Sequence, residues 1–332
     1  MKNYILTTRN IDTDKASFGN IHSSASYLAV QDSKLKPAPS DVRPNFQTWA
    51  TEIITDLKKK AGRNPVSLDV VFYVHGYNTS SEEALKRQRL IEKRLIQSGF
   101  TSTVIGFDWP SADIAVMYET DRLEAMRTAA ELVTAGIAEF VKYSRPDCTV
   151  NLHIVAHSMG AYVVREAFRQ ADKARVSNQG TQWKVSQIAL LAADISSDCF
   201  ESGHADMDSV FQHCSRLTNY YSGHDTVLGV SNVKNLDISS RVGRVGMPTN
   251  VDTNPKAVDV DCTNRYNALS EDQRKTSMAK CMDGSVTHSW YFDDDVWYQD
   301  LAMTLAGRID RNYFPTRERM ASNDFALKQQ TA

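Results

Sequence analysis

The clearest periodic signals are apolar runs alternating with amphipathic stretches. LDVVFYV (68–74) is an almost continuous apolar run, as a strand buried on both faces should be. EEALKRQRLIEKRLIQ (82–97) follows, rich in strong helix formers. TVIGF (103–107) reads as the next strand. A long helical stretch comes after it, with Met126, Ala130, Val133, Ile137 and Val141 on one face. VNLHIVA (150–156) is a strand, and Val164, Ala167, Phe168 and Ala171 form the inner stripe of the helix beyond it. SQIALLAA (186–193) and RLTNYY (216–221) are strands separated by a short helix around Asp208 to Cys214. KAVDVD (256–261) reads as the last strand, and Asp295 to Leu305 as the final helix.

This alternation predicts an α/β fold: a mostly parallel central sheet with helices on both faces. YILTT (4–8) and SYLAV (26–30) have no strong helix between them and are expected as antiparallel edge strands. No repeat or linker divides the chain, so residues 1–314 are expected to form a single domain. The stretches 111–123 and 229–284, the second polar and rich in Gly, Asn and Asp, read as cap-like insertions. The polar tail 315–332 is expected to be loosely held.

Composition narrows the classes. The 332 residues are 42% hydrophobic and 23% charged, with a net charge of -2, which leaves no basic footprint for nucleic acid. No apolar run is long enough to span a bilayer, and the opening MKNYILTTRNIDTDK has too short an apolar stub for a secretory signal. Cys148, Cys199, Cys214, Cys262 and Cys281 are odd in number and scattered, without a CxxC, so reduced thiols and a cytoplasmic location are expected.

The candidate chemistry centres on IVAHSMGAYVV (154–164), where a strand gives way to a helix at one serine. A nucleophile elbow has the pattern G-x-S-x-G, because strand and helix pass very close at a strained turn. Ala156-His157-Ser158-Met159-Gly160 keeps it, with alanine for the first glycine. The alternative role for Ser158 is to cap the helix. If Ser158 is a nucleophile, an oxyanion hole would use the Met159 N–H at the helix N-terminus and a second N–H, that of Tyr77, from the loop after VFYVHGYN (71–78). His75 in that loop is expected to orient it, and also stands as a pocket candidate.

The base should follow the acid, late in the chain. His22 and His75 precede the serine, His153 lies inside a strand, His157 adjoins Ser158, His204 and His213 precede RLTNYY, and His224 adjoins Asp225. Elimination leaves His288 in GSVTHSWYF. The acid should end a strand, and both Asp225 and Asp194 qualify; Asp225 holds the more usual position, with a helix-cap role as its alternative. No metal or other cofactor is required, and HADMD (204–208) reads as a solvated loop. Tyr77, Trp109, Tyr118, Phe200, Trp290 and Tyr291 suggest an apolar or aromatic acyl pocket.

With these residues in place the chain resembles the α/β-hydrolase superfamily, and more narrowly a bacterial family catalogued as an α/β hydrolase-like domain of unknown function. The resemblance is carried by VFYVHGYNTS (71–80), GFDWPS (106–111), YETDR (118–122), IVAHSMGAYVV (154–164), LLAADISSDCF (190–200), YYSGHDTVL (220–228) and THSWYF (287–292), and YILTTRN is similar to the family's first strand. Alanine ahead of the serine is usual in that group. The resemblance implies a Ser158–Asp225–His288 triad and favours Asp225 over Asp194. The expected function is a serine hydrolase of the carboxylesterase or lipase kind, acting on an ester of a small or lipid-like acyl substrate through an acyl-enzyme. Acyl transfer on the same triad, or a non-catalytic binding or effector module, are the alternatives.

Overall fold

The computed structural model describes residues 2–329 apart from 63–64, 66, 112–117, 144–148, 175–181, 230–239, 250–252, 281–284, 308–313 and 322, with side chains left aside at 118–121 and 276–280. Ten strands form one sheet: β1 (Lys2–Asp12), β2 (Ser17–Gln31), β3 (Ser67–Val74), β4 (Thr103–Asp108), β5 (Thr149–His157), β6 (Val185–Leu191), β7 (Cys214–Tyr221), β8 (Ala257–Asp261), β9 (Arg317–Arg319) and β10 (Asp324–Leu327). Their order is β2-β1-β4-β3-β5-β6-β7-β8-β10-β9. Pairing is parallel from β1 through to β10, and antiparallel only between β1 and β2 and between β9 and β10, at the two edges. The segments YILTT and SYLAV do pair antiparallel, and β2 is an edge, but β1 lies one position inside.

Successive side chains of a strand face opposite sides, and β3 shows the consequence. Val70, Phe72 and Val74 join one core, while Val71 and Tyr73 join the other. The first core takes up the helices Phe46–Ala61 and Met159–Lys173 through residues such as Trp49, Ile53, Val163 and Ala167. The second takes up Ser81–Gln97 and Asp295–Leu305 through Ile91, Leu95, Trp297 and Leu301. The strands converge so that the C-terminal ends of β3, β4, β5, β6 and β7 lie along one rim, where an open α/β sheet keeps its chemistry.

Four local expectations are corrected. The helix Phe46–Ala61 was not anticipated, although Trp49, Ala50, Ile53 and Leu57 form its buried stripe and Asn45 caps it by accepting the Thr48 N–H at 2.9 Å. The stripe Met126–Ala130–Val133–Ile137–Val141 holds from Val133 onward, with Val141 packed against the core, but not before it. Ala125, Ala129 and Leu132 are buried instead, and Met126 is 37% exposed. The cause is the π-helical turn Leu132–Ile137, whose wider winding adds a residue and shifts the stripe by one position on its N-terminal side.

The third correction concerns the supposed insertion 229–284. It contains β8, a strand of the central sheet, so it divides into separate excursions before and after 257–261. The first half of the other supposed insertion, 112–117, lies outside the described residues, and its end already belongs to the helix Tyr118–Glu131. Fourth, the tail is not loose. β10 pairs with β8, and Arg317 reaches back to the final helix. Its guanidinium grips Asp300 at 2.7 and 2.5 Å, and Tyr220 and Thr316 donate to the same carboxylate at 2.7 and 2.6 Å. A polar composition hid this because each charge meets its partner only in three dimensions.

Both members of that ion pair are buried, so removing one leaves an uncompensated charge in the interior. Arg317→Ala is expected to cost on the order of 3–5 kcal/mol in equilibrium urea unfolding. A loss below about 1 kcal/mol would mean that the tail contributes little to the fold.

Candidate active site at the strand ends

β5 ends at His157 and the helix begins at Met159, leaving Ser158 alone at the turn with φ 55° and ψ -125°. A non-glycine residue in this region carries strain of on the order of 1–3 kcal/mol. Three backbone bonds hold it there: the Ser158 N–H donates to Leu191 O at 3.0 Å, and its carbonyl accepts from Asp194 N at 3.1 Å and Ala161 N at 3.0 Å. The turn leaves no room behind it. A Cβ at Gly160 would meet the carbonyl oxygens of Val74 and His75, the latter at 2.7 Å. A Cβ at Gly76 would lie 2.9 Å from the Ser158 Cβ. The loop carrying Tyr77 therefore crosses directly over Ser158, and Asn78 turns it with a left-handed φ of 53°.

That loop is held by a network that sequence reasoning did not find. Arg9, on β1, donates through Nε to Asp108 at the end of β4 at 2.8 Å, with both side chains buried. Its other nitrogens reach Thr79 O at 2.9 Å, Ser111 O at 3.4 Å and the Asn20 side chain. Thr7 adds a hydroxyl to Asp108 at 3.1 Å. Burial raises the Asp108 carboxyl, but the Arg9 guanidinium beside it outweighs this and holds it well below the usual carboxylate range. Ser111 Oγ accepts the Thr79 N–H at 2.9 Å. His75 Nε2 accepts the Trp109 N–H at 3.2 Å, which leaves Nδ1 to donate to Gly76 O at 2.9 Å, and the two rings stack. TTRN, HGYNTS and GFDWPS thus meet in one buried cluster. The signal available was a charged residue inside each of two strand-like motifs, Arg9 and Asp108.

Asp225 and His288 meet beside His157, the residue that precedes Ser158. The His288 Nδ1 lies 2.7 Å from Asp225 Oδ2, and both residues are buried. The other oxygen of Asp225 accepts the Leu228 N–H at 3.0 Å, so the helix-cap role and the contact with His288 coexist on one carboxylate. Asp194 turns elsewhere, with its carboxylate 3.2 Å from Arg241 Nε. His157 steadies the turn that bears His288. Its Nε2 donates to His288 O at 3.2 Å, Arg87 donates to its Nδ1 at 3.4 Å, and the two imidazole rings are 4.7 Å apart. The histidines set aside are engaged elsewhere: His22, His153 and His213 contact Glu131, Asp69 and Asp172.

The expected aromatic pocket is not where these residues go. Trp109, Phe200, Trp290 and Tyr291 are buried in the two cores, and His75 is fully occupied by the loop. The side chain of Tyr118 lies outside the described residues. Their hydrophobicity was read correctly as burial, but burial in a core and burial in a pocket look alike in sequence. The cavity beside Met159, about 140 Å³, is instead lined by Arg122, Tyr162, Arg165, Asp194, Asp206 and Arg241. Next to it Cys199, His204 and Asp206 offer ligand atoms within 4.8 Å of one another. Arg165 Nη1 already lies 3.5 Å from the Cys199 sulfur and 3.3 Å from Asp206, and burial pushes the Cys199 thiol up to about 11, so the donor set fits a metal ion poorly. Cys199, Cys214 and Cys262 are free thiols, while Cys148 and Cys281 lie outside the described residues.

Residues 47–262 match a protein family described as "Alpha/beta hydrolase of unknown function (DUF900)". The chain belongs to this family. Ser158 and Asp225 fall within the matched segment and His288 beyond it. The fold class read from the sequence, an α/β-hydrolase fold with a mostly parallel sheet and helices on both faces, is the one the chain adopts. The uncharacterized protein alr1448 of Nostoc sp. is 26% identical over 168 residues, an overlap covering 44% of this chain and 41% of that protein. Among solved structures, Aspergillus fumigatus lipase B is similar at 12% identity and a TM-score of 0.37, covering 74% of this chain and 53% of the lipase. The Legionella pneumophila phospholipase PlaB is similar at 11% identity and 0.34, covering 76% of this chain and 65% of that one. The chain thus spans about two fifths of the Nostoc protein and about half of the lipase. Among the described residues, no helix is long and apolar enough to cross a membrane.

The close approach at Gly160 makes a direct prediction. Adding one methyl there forces the helix away from the carbonyls that end β3, an overpacking cost of roughly 1–3 kcal/mol or more. Gly160→Ala is expected to lower Tm by several degrees and to displace Ser158, read as loss of labelling by a fluorophosphonate. Full labelling with an unchanged Tm would show that the turn tolerates a Cβ.

Proposed function

We propose that this chain is a serine hydrolase that cleaves an ester-type acyl bond through Ser158, His288 and Asp225. The observation that carries the reading is the 2.7 Å contact between His288 Nδ1 and a fully buried Asp225, close to a serine held at a strained turn. Family membership supports hydrolase chemistry in general. The serine, its base and the scissile ester belong to the proposal.

In this reading Asp225 accepts the Nδ1–H of His288, which leaves Nε2 as the basic nitrogen. Ser158 Oγ bonds to the acyl carbon while its proton passes to Nε2. The carbonyl electron pair moves onto oxygen, where the N–H groups of Tyr77 and Met159 hold it. Collapse of this intermediate breaks the carbon–alkoxy bond, and the leaving alcohol takes the proton from His288. Water then gives a proton to Nε2 and attacks the acyl-enzyme, and the acid departs as Ser158 regains its hydrogen. Asp225 lies on the face of His288 away from Nε2 and stabilises the imidazolium formed in each half-reaction. The strain at Ser158 and the fixed loop above it are the preorganisation that such a site needs, because donors already in position need not reorganise as charge develops.

Ser158→Ala is expected to abolish both fluorophosphonate labelling and turnover of short 4-nitrophenyl esters while leaving the far-UV spectrum intact. Turnover equal to wild type would sink the proposal. Asp225→Asn is expected to lower kcat on the order of 10⁴-fold, because the imidazole loses its orienting acceptor. A steady-state comparison at constant pH checks this, and a change of less than about tenfold would remove Asp225 from the triad.

A further inference from the structure

Two motifs of the chain are left without a role by the triad: YETDR, which ends in Arg122, and LLAADISSDCF, which contains Asp194. Both reach the cavity beside Met159. Tyr162 and Arg165 enter it from successive turns of the helix that starts at Met159, one face repeating every three residues. The guanidiniums of Arg122 and Arg165 each lie 4.8 Å from the Tyr162 ring. Arg241 comes from the chain after β7 and is buried against Asp194 at 3.2 Å. Asp194 in turn bonds through its N–H to Ser158 O at 3.1 Å, so the cavity floor is tied to the elbow itself.

Among the described residues that line this space, Arg122, Arg165 and Arg241 stand beside Asp194 and Asp206, three positive groups to two negative. Asp206 is also 45% exposed, so its charge is the most screened by water. A hydrocarbon acyl chain placed here would strip water from guanidinium groups and meet only Met159, Ile195 and the Tyr162 ring in return. An oxyanion would gain charge-assisted, forked hydrogen bonds, for which arginine is the matching side chain. At about 140 Å³ the space holds a group of roughly five heavy atoms, taking about 30 Å³ for each water-sized unit.

We infer that this cavity binds an anionic group of the substrate, a carboxylate or a phosphate, carried a few atoms from the ester cleaved at Ser158. The inference rests on the reading of Ser158 as the nucleophile and adds the substrate class to it. Arg122 and Arg165 are the specificity-determining residues, and Arg241 with Asp194 fixes the floor.

The test compares two esters with the same glutaryl chain, 4-nitrophenyl hemiglutarate and its neutral methyl ester. The wild-type protein is expected to favour the anionic ester by roughly tenfold or more in kcat/KM, chiefly through KM. In Arg122→Gln, a change at a partly exposed position, that preference should fall by about tenfold, and Arg165→Gln should act in the same direction. Glutarate and inorganic phosphate serve as competitive inhibitors: the stronger of the two identifies the anion, and inhibition by neither overturns the inference. Ser158-dependent turnover with no anionic preference, or a preference unmoved in both arginine variants, also overturns it while leaving the nucleophile standing. Turnover retained in Ser158→Ala overturns the nucleophile and this inference together. Should neither ester be turned over, calorimetric titration with glutarate and phosphate reads the cavity apart from chemistry. Saturable binding weakened about tenfold by Arg122→Gln supports the anion site, and no binding overturns it.

Discussion

The site depends on how closely the helix after β5 approaches the end of β3. Gly160 faces the carbonyls of Val74 and His75 with no space for a side chain. This contact brings the helix N-terminus, with its unsatisfied N–H groups and positive dipole end, up to the strand rim. It also leaves the connecting residue, Ser158, with only a positive φ by which to join strand to helix. Strain at Ser158, the position of the Met159 N–H and the crossing of Gly76 above the serine are consequences of one steric limit.

A second constraint holds the roof in place. The Arg9–Asp108 pair is buried, and burial works against both charges. Its net stabilisation is modest unless the remaining donors and acceptors are met. Here they are met by Thr7 on β1, Asn20 on β2, and Thr79 and Ser111 in two separate loops. The pair acts as a geometric clamp rather than as a source of stability. It ties the first strand and the β4 exit to the loop that bears Tyr77, and so fixes that loop where it passes Ser158.

The surroundings of the site have a different character from its frame. Trp109, Phe200, Trp290 and Tyr291 serve the two cores, and the open volume beside Met159 is lined by arginine and aspartate together with Tyr162 and Ile195. Arg241 reaches that volume from a segment that leaves the sheet after β7 and returns as β8, so an excursion at the strand ends supplies a wall of the cavity. Loops on a rigid rim can change in this way without disturbing the sheet.

The order of strands and helices was legible because it rests on periodicity, a local property carried by neighbouring residues. The elbow was legible for the same reason: five adjacent residues contain its steric rule. Chain order pointed to Asp225 and His288, although they are 63 positions apart. Tertiary structure alone decided what each long polar side chain meets. Nothing near Arg317 indicates Asp300 together with the Tyr220 hydroxyl, nothing near Arg9 indicates Asp108, and Asp194 and Asp225 end their strands alike while only one faces His288. A π turn of six residues was enough to move a hydrophobic stripe by one position. Apolar burial is non-directional and follows from composition and spacing, whereas ion pairs and hydrogen bonds require partners at fixed distance and angle, and those are set only when the chain has folded.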